Sequence, residues 1–276
     1  AVATHWTTAA WVADVVEAGR ARLSIYFLQD YESWFFPEDD HNARAKVKET
    51  YERIPHKIVK SDWLHELLTH DGFSSHKIPL GMDLGIFYPR EVPASAAPTI
   101  LAMARPRTPR RGFPAMIEAL RQVKETRPDA EIVLFGDDLS AQQIPFPYRD
   151  MGIITDQHRL AELYSMATVF LDGSDFQGFG RTGLEAMACG AACVLTNIGG
   201  VTEYARDHEN CLCVPPKQPL VFAQAMLQIL NHPQLKRKLS AGGLRTVQAY
   251  CHKREARQTL AYFKDLIGGS EEDSGC

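Results

Sequence analysis

The sequence predicts an α/β fold built on a doubly wound parallel sheet, and two patterns carry this prediction. From about residue 98 onward, short apolar runs alternate with segments of helical spacing, which is typical of successive βαβ units. The run AEIVLFG at 130–136 is continuously apolar, as expected of a strand that is buried on both faces. Right-handed crossovers between such strands place helices on both faces of the sheet.

The elements follow in order along the chain. Before residue 98 we predict a strand leading into THWTTA, a helix, a strand at LSIYFLQD, a helix at ARAKVKETYE, and a strand and helix in HKIVKSDWLHELL. After it we predict the strands TILAMA, AEIVLFG, TVFLDGS and AACVLTN, the helices FPAMIEALRQVKE, RLAELYSMA and TGLEAMACG between them, and helices at 217–231, 233–250 and 253–266. Two or three strands cannot form a full sheet, so we expect the first domain to be partial.

Three segments describe the expected domain organisation. Residues 1–93 form the partial first domain and a linker rich in Pro and Gly, and residues 94–250 form the second domain. Residues 251–276 form a helix that packs back toward the first domain, followed by a disordered polar tail. The chain begins in the middle of a pattern, and we therefore expect it to be part of a longer protein.

Composition narrows the classes of function. With 30 Lys and Arg against 34 Asp and Glu, the chain has a formal net charge of −4, which argues against a general nucleic-acid binder. Its six cysteines form no C-x-x-C pair, so a reducing cytoplasm fits best. No apolar run is long enough to span a bilayer, and no signal peptide is evident. We therefore expect the protein in the cytoplasm, either free or associated peripherally with the inner face of a membrane.

Two loops at the carboxyl ends of predicted strands carry candidate binding residues, because open α/β sheets bind ligands at that edge. The loop ARPRTPRRGF carries four arginines, whose guanidinium groups suit a diphosphate; a solvated basic loop is the alternative. These are Arg105, Arg107, Arg110 and Arg111. The loop SDFQGFG precedes a helix predicted to start near Thr182, whose free N–H groups would face an anion or sugar hydroxyls. Glu185 on that helix could accept hydrogen bonds from ribose hydroxyls.

A third loop, TNIGGVTEY, follows another predicted strand. Gly199 and Gly200 would allow a close approach of the backbone to a ligand, although an ordinary strand-to-helix turn explains them as well. We expect the three loops to form one cleft floor.

These motifs closely resemble family 4 retaining glycosyltransferases, which have the GT-B fold of two Rossmann-like domains. FQGFGRTGLEAMACGAACVLTNIGGVTEY is similar to the segment in which that family has Glu-Gly-Phe-Gly, with a second Glu eight positions after the first. PLGMDLGIFYP resembles its interdomain linker, ARPRTPRRGF its phosphate loop, and MGIITDQHRLAELYSMATVFLDGS its base-contacting strand and the next helix. The resemblance covers residues from about 56 to 232. It implies that residues 1–93 are the acceptor side and residues 94–250 the donor side.

Carried onto this sequence, the resemblance implies a site for a nucleotide-sugar. Arg105 and Arg111 would hold the diphosphate, with Arg111 in place of the usual Lys, while Glu185 would take the ribose hydroxyls and Ile154 would lie beside the base. The remaining donor-binding positions are Gly178, Phe179, Gly180, Thr182 and Leu184.

Four residues are candidates for the catalytic end of the site. Gln177 stands where the family has its first Glu, and Gln29 stands where many members have a His that contacts the donor sugar. His5 matches a strand-end position facing the cleft, and Asp30 is an acidic residue on the acceptor side. Glu32 is a further acidic candidate there, and solvated loop residues are the alternative for both. The two glutamines leave the identity of the sugar open.

The resemblance implies a retaining glycosyltransferase of the hexosyl or deoxyhexosyl class, acting on a glycan or lipid-linked glycan in cell-surface polysaccharide biosynthesis. We expect no cofactor beyond the donor and no essential metal, because no Asp-x-Asp motif is present. Rhamnose is one candidate sugar, since Tyr26, Phe27 and Tyr31 near Gln29 would suit a methyl group. The partial first domain leads us to expect slow transfer by this chain alone. The alternatives are a non-catalytic nucleotide-sugar-binding module and a dehydrogenase, although the G-x-G-x-x-G turn of dehydrogenases is missing.

Overall fold

The computed structural model describes residues 1–92 and 97–268, and the chain divides into two compact units. The first unit consists of Ala1–Met82 and the chain from Tyr250 onward, and the second consists of Asp83–Ala249. The predicted boundary at 93 and 94 and the predicted disordered tail lie outside the described residues. The α/β class with two parallel sheets is confirmed.

The strands are β1 (Val2–Ala3), β2 (Ile25–Leu28), β3 (His56–Val59), β4 (His76–Lys77), β5 (Thr99–Met103), β6 (Glu131–Phe135), β7 (Arg149–Asp150), β8 (Val169–Asp172), β9 (Ala192–Thr196) and β10 (Leu212–Val214). The helices are α1 (Trp6–Glu17), α2 (His41–Arg53), α3 (Asp62–His70), α4 (Phe113–Thr126), α5 (Gln157–Met166), α6 (Arg181–Ala188), α7 (Pro219–Asn231), α8 (Pro233–Val247) and α9 (His252–Gly268). Short 3₁₀ turns cover Glu32–Phe35, Pro109–Arg111 and Gly199–Glu203. Among the described residues, none of the helices combines the length and the apolar character that a membrane span needs.

The first unit contains a parallel sheet with the strand order β1-β2-β3-β4. Alternate side chains of β2 point to opposite faces, as the two-residue period of a strand requires. Tyr26 and Leu28 pack with α1, α2 and α3 in one core cluster, whereas Ile25 packs with Tyr262 and Phe263 of α9 in another. The last helix therefore completes the second face of this sheet.

The second unit contains a parallel sheet with the strand order β10-β9-β8-β5-β6-β7. The chain first builds outward from β5 to β7 and then returns to the other side of β5 to add β8, β9 and β10. The topological switch point therefore lies between β5 and β8, where open α/β sheets bind their ligands. Helix α4 packs against α7, and α6 packs against α5 and α8.

The second unit begins earlier than predicted because the segment after Asp83 packs into it. Phe87 is 1% exposed, and its ring centroid lies 6.4 Å from that of Tyr164. The backbone N–H of Arg90 donates to the hydroxyl of Ser165 at 3.3 Å. Part of the predicted linker is thus integral to the second unit.

The strand predicted within MGIITD is also corrected. The sheet contains Arg149–Asp150 instead, with Asp150 opposite Leu134 of β6. The Asp150 carboxylate accepts a hydrogen bond from the backbone N–H of Gly152 at 2.8 Å. Backbone hydrogen bonds to β6 continue through this turn, from the Met151 N–H to the Leu134 carbonyl at 2.8 Å and from the Gly136 N–H to the Gly152 carbonyl at 2.8 Å, and no regular strand follows up to α5.

Candidate functional site

The loops after β5 and β8 lie side by side in the second unit. The two strands are paired in register, with Ile100 opposite Val169 and Ala102 opposite Leu171. Beyond the strands, the backbone N–H of Asp175 donates to the Arg110 carbonyl at 2.8 Å. A Cβ at Gly112, which has a φ of 65°, would overlap the Gly173 carbonyl oxygen. Glycine at this position therefore permits the two loops to pack backbone to backbone.

Two of the predicted phosphate-binding arginines retain unused donors. Arg105 keeps an exposed surface, and within the described part of the chain no hydrogen bond or ion pair involves its side chain. Partial burial, followed by the positive charge of Arg111, lowers the pKa of Arg105. Arg111 donates through Nη1 to Gln177 Oε1 at 2.6 Å, while its buried Nε has no hydrogen-bond partner among the described residues. Two like charges with free donors favour an anion at this point.

The other two arginines differ from this pair. Arg107 forms an ion pair with Asp137, and its Nε donates to Asp137 Oδ2 at 3.0 Å. The hydrogen bond from Arg107 is the main cause that lowers the pKa of Asp137. The backbone of Arg110 joins the two loops, as described above. The ion pair of Arg107 leaves Arg105 and Arg111 as the loop arginines with donors shown to be unused in the described part of the chain.

A buried carboxylate at the end of β8 organises the second loop. Asp172 is 3% exposed, and its Oδ1 accepts from the backbone N–H and the hydroxyl of Ser174 at 3.1 and 2.5 Å. Its Oδ2 accepts from Gln177 Nε2 at 2.9 Å and from the Thr182 hydroxyl at 2.7 Å. Sequence reasoning missed this residue. An Asp that closes an otherwise apolar strand was the available signal, since a buried carboxylate needs hydrogen-bond donors.

Helix α6 begins at Arg181, one position before the predicted start. Gly180, with a left-handed φ of 85°, precedes it, and no side chain caps its N-terminus. The N–H groups of its first turn lack acceptors within the helix, and they form the positive end of the helix dipole. The uncapped end is therefore suited to bind a negatively charged or hydroxyl-bearing ligand.

Glu185 lies in the second turn of α6. Its side chain is held between Arg181 Nε, 2.9 Å from Oε1, and the Tyr164 hydroxyl, 3.4 Å from Oε2. Burial raises the pKa of Glu185, although both partners oppose this effect. Each carboxylate oxygen can accept a further hydrogen bond, so the predicted role toward ribose hydroxyls is compatible with these contacts.

The third predicted loop, TNIGGVTEY, packs against the loop that precedes α6. Gly199 and Gly200 are buried, and the N–H of Gly200 donates to the Gln177 carbonyl at 2.7 Å. A Cβ at Gly200 would overlap the Gly178 carbonyl oxygen. The Tyr204 hydroxyl donates to the Gly180 carbonyl at 2.5 Å. Close packing of the two loops therefore requires these two glycines, and a part of theirs in the cleft floor stays a prediction.

Three further predicted donor positions are buried or half-buried. Phe179 is 4% exposed and Leu184 is fully buried, so only the backbone groups of these residues remain as candidates for ligand contact. Ile154 is half-buried in the loop between β7 and α5.

The remaining candidates belong to the first unit. His5 is the N-cap of α1, where Nδ1 accepts from a backbone N–H, and partial burial lowers its pKa. Gln29 Nε2 donates to the Thr4 carbonyl at 3.3 Å. Asp30 is 7% exposed, and its Oδ1 accepts from the backbone N–H of Tyr31 at 3.0 Å. His5 and Gln29 are thus close in the first unit, since Thr4 precedes His5.

The aromatic residues predicted around Gln29 do not offer their rings to a ligand. Tyr26 is fully buried and donates to Glu32 at 2.7 Å, and Tyr31 is 3% exposed and donates to Asp71. Phe27 packs on α9. This arrangement contradicts the expected methyl-binding pocket, because two of its three rings belong to the core.

Comparison with known sequences supports a glycosyltransferase. Residues 97–232 match the family model described as glycosyl transferases group 1. Phosphatidyl-myo-inositol mannosyltransferase of Mycobacterium tuberculosis is 25% identical over 244 residues, which cover 80% of this chain and 62% of that protein. The O-antigen biosynthesis protein RfbC of Myxococcus xanthus is 30% identical over 239 residues, covering 84% of this chain and 18% of that protein. The matches thus span less than two thirds of these relatives.

Comparison with solved structures confirms the GT-B fold. The sucrose-phosphate synthase of Thermosynechococcus elongatus superposes with a TM-score of 0.82 at 23% identity, covering 97% of this chain and 73% of that chain. Anabaena HepE in complex with UDP-glucose superposes with a TM-score of 0.80 at 16% identity, covering 96% of this chain and 78% of that chain. The fold and the sequence relatives together support a glycosyltransferase of the GT-B type.

Proposed function

We propose that this chain forms the donor-binding part of a family 4 retaining glycosyltransferase, which moves a sugar from a nucleoside-diphosphate-sugar to a hydroxyl of a glycan acceptor. One observation carries the proposal: the unused donors of Arg105 and Arg111 lie at the switch point of the second sheet, in a loop packed against the one that leads into α6. Guanidinium groups bind phosphate oxygens in bidentate fashion, and a helix N-terminus adds N–H donors.

In this proposal, the charged groups act mainly on the leaving group. Cleavage of the sugar–phosphate bond places negative charge on the diphosphate, and Arg105, Arg111 and the first turn of α6 would stabilise that charge. Glu185 would hold the ribose through its carboxylate oxygens. His5, Gln29 and Asp30 of the first unit are the proposed contacts on the acceptor and sugar side.

The relatives suggest which substrates to test first. HepE was crystallised with UDP-glucose. Another relative, from Mycobacterium tuberculosis, is a GDP-mannose-dependent phosphatidylinositol dimannoside mannosyltransferase. It is 28% identical over 197 residues, which cover 67% of this chain and 50% of that protein. We therefore propose a UDP- or GDP-sugar as donor and a glycan or lipid-linked glycan as acceptor. The proposed setting is surface polysaccharide synthesis in the cytoplasm, at the inner face of the membrane. A rhamnosyl donor lacks support from the residues around Gln29.

The proposal is tested by adding UDP, GDP and their sugar conjugates to the chain and measuring its melting temperature. We expect at least one nucleoside diphosphate to raise it, and Arg105→Met to reduce the increase. The anomeric configuration of a product formed with a glycan acceptor then tests retention, and EDTA tests metal independence. No response to any nucleotide would refute the proposed function.

A non-catalytic nucleotide-sugar-binding module is the second candidate. The side chain of Gln177, in the position proposed for sugar contact, is 4% exposed and is engaged by Arg111 and Asp172. Binding of a nucleotide-sugar without transfer or hydrolysis by the complete protein would favour this candidate.

A further inference from the structure

Asp172 has no part in the chemistry proposed above, yet it contacts several elements of the proposed site. We propose that Asp172 is a positioning residue that holds Arg111 through Gln177, and that Asp172 and Gln177 form a matched acid–amide pair in which neither can be changed alone. The inference rests on the proposed diphosphate site. It predicts that diphosphate affinity depends on a carboxylate that never touches the ligand.

The donors and acceptors around Gln177 permit one arrangement. A guanidinium group only donates hydrogen bonds, so the atom of Gln177 that faces Arg111 Nη1 at 2.6 Å is the amide oxygen. The amide nitrogen is then directed to Asp172 Oδ2, at 2.9 Å, which accepts from it. Gln177 therefore connects a buried carboxylate with the guanidinium group, and its orientation is determined at both ends.

The same carboxylate also holds the start of α6. Its Oδ2 accepts from the Thr182 hydroxyl at 2.7 Å, and its Oδ1 accepts from the backbone N–H of Ser174 at 3.1 Å. Asp172 thus connects Arg111 with the first turn of α6, the two parts of the site proposed to bind the diphosphate. Because Asp172 is 3% exposed, water cannot substitute readily for a lost partner.

This geometry makes the effect of each single substitution specific. In Gln177→Glu, a second carboxylate replaces the amide donor and lies against Asp172, so the two oxygens repel. In Asp172→Asn, the new NH₂ group faces either Gln177 Nε2 or the Ser174 N–H. Both of these groups are donors, so either orientation of the amide brings two donors together. The double variant Asp172→Asn/Gln177→Glu restores the complementarity. Its new amide can donate to its new carboxylate, and that carboxylate still accepts from Arg111.

The test is calorimetric titration of the wild type and these three variants with UDP and with GDP. We expect each single variant to weaken binding by about ten-fold or more, and the double variant to recover to within about three-fold of wild type. Gln224→Glu, the same chemical change at an exposed position of α7, is the matched control and is expected to leave affinity unchanged. A double variant that binds no better than Gln177→Glu would overturn the inference.

A second measurement tests the pair without ligand, and so separates this inference from the proposed function. A carboxylate placed against Asp172 has a raised pKa in the folded state, so the stability of Gln177→Glu relative to wild type should fall as pH rises through that pKa. The double variant should not show this loss, and neither should Gln224→Glu. Absence of the pH-dependent loss in Gln177→Glu would refute the pairing even if UDP or GDP binds, and its presence would support the pairing even if neither binds.

Discussion

At the scale of single residues, the two arginines of the proposed diphosphate site differ in what surrounds them. Arg105 is exposed, whereas Arg111 is half-buried and donates to Gln177. We expect Arg105→Met and Arg111→Met each to weaken binding of nucleoside diphosphate. Only Arg111→Met should also lower the free energy of unfolding, by about 1–3 kcal/mol, because it leaves the buried Gln177 oxygen without its donor.

Calorimetric titration and urea unfolding of both variants check this prediction. Arg237→Met, at an exposed position of α8, removes the same charge elsewhere in the second unit and serves as the control. Normal affinity in both site variants would place the phosphate site elsewhere.

Glu185 should make stability depend on pH. Its folded pKa is raised, first of all by burial, so the folded protein holds the proton more tightly than the unfolded chain does. The resulting stabilisation is fully present below the unfolded pKa of about 4.3 and is lost as pH rises through the higher folded pKa. In Glu185→Gln this dependence disappears, so the stability difference between wild type and variant should change across that interval. Thermal unfolding from pH 4 upward measures it, and parallel curves for the two proteins would contradict the assignment.

The same substitution should weaken donor binding. Gln keeps the size of the side chain but removes the charge that strengthens hydrogen bonds to ribose hydroxyls, so we expect a loss of about 1–3 kcal/mol in affinity for a nucleotide-sugar. Titration at neutral pH with UDP-glucose and GDP-mannose tests this effect. An unchanged affinity would remove Glu185 from the site.

At the scale of elements, two loops that lie apart in the sequence pack against each other. The Gly199–Glu203 turn supports the loop before α6 through the Gly200 N–H and the Tyr204 hydroxyl. Gly200→Ala should therefore displace the loop at Gly178, destabilise the chain and impair nucleotide binding, since a Cβ has no space there. Gly268→Ala, where a Cβ meets open space, is the control. Melting temperature and UDP or GDP affinity are the measurements, and wild-type values for Gly200→Ala would show that the loops are not tightly packed.

At the scale of the whole chain, an ion pair connects the last helix with the rest of the first unit, and its lysine is buried while its glutamate is half-buried. Lys60 is 6% exposed, and its Nζ lies 2.5 Å from Glu255 Oε1, while Oε2 accepts from the Gly81 N–H at 2.7 Å. Removing the carboxylate leaves the buried Lys60 without its partner, while the partial exposure of Glu255 lets water screen part of the loss, so we expect Glu255→Gln to cost about 1–3 kcal/mol of stability. Asp265→Asn, at an exposed position of the same helix, should cost little. Equal stability of the two variants in urea unfolding would show that the pair does not hold α9.

Much of the second unit was predictable from the sequence, because its signals are local. Continuous apolar runs predict buried strands, and Gly180 and Gly190 bracket α6. Alternation of strands and helices then predicts a parallel sheet. The loop arginines and Glu185 could be named as candidates for the same reason, since the arginines follow a recognisable strand and Glu185 lies near the start of a helix. The short strands β4 and β7 were not, because two residues carry too little pattern to distinguish a strand from a turn.

The sequence by itself determined the α/β class, the order of the main elements and the edge of the sheet on which the candidate binding residues lie. The tertiary structure alone decided which residues at that edge meet. It showed that Arg107 is engaged by Asp137, that Gly199 and Gly200 support a neighbouring loop, and that Asp172 connects Gln177 with α6. The physical reason is the range of the interactions: strand and helix signals act over a few residues, whereas hydrogen bonds between buried side chains depend on strand order and register, which join residues far apart in the chain.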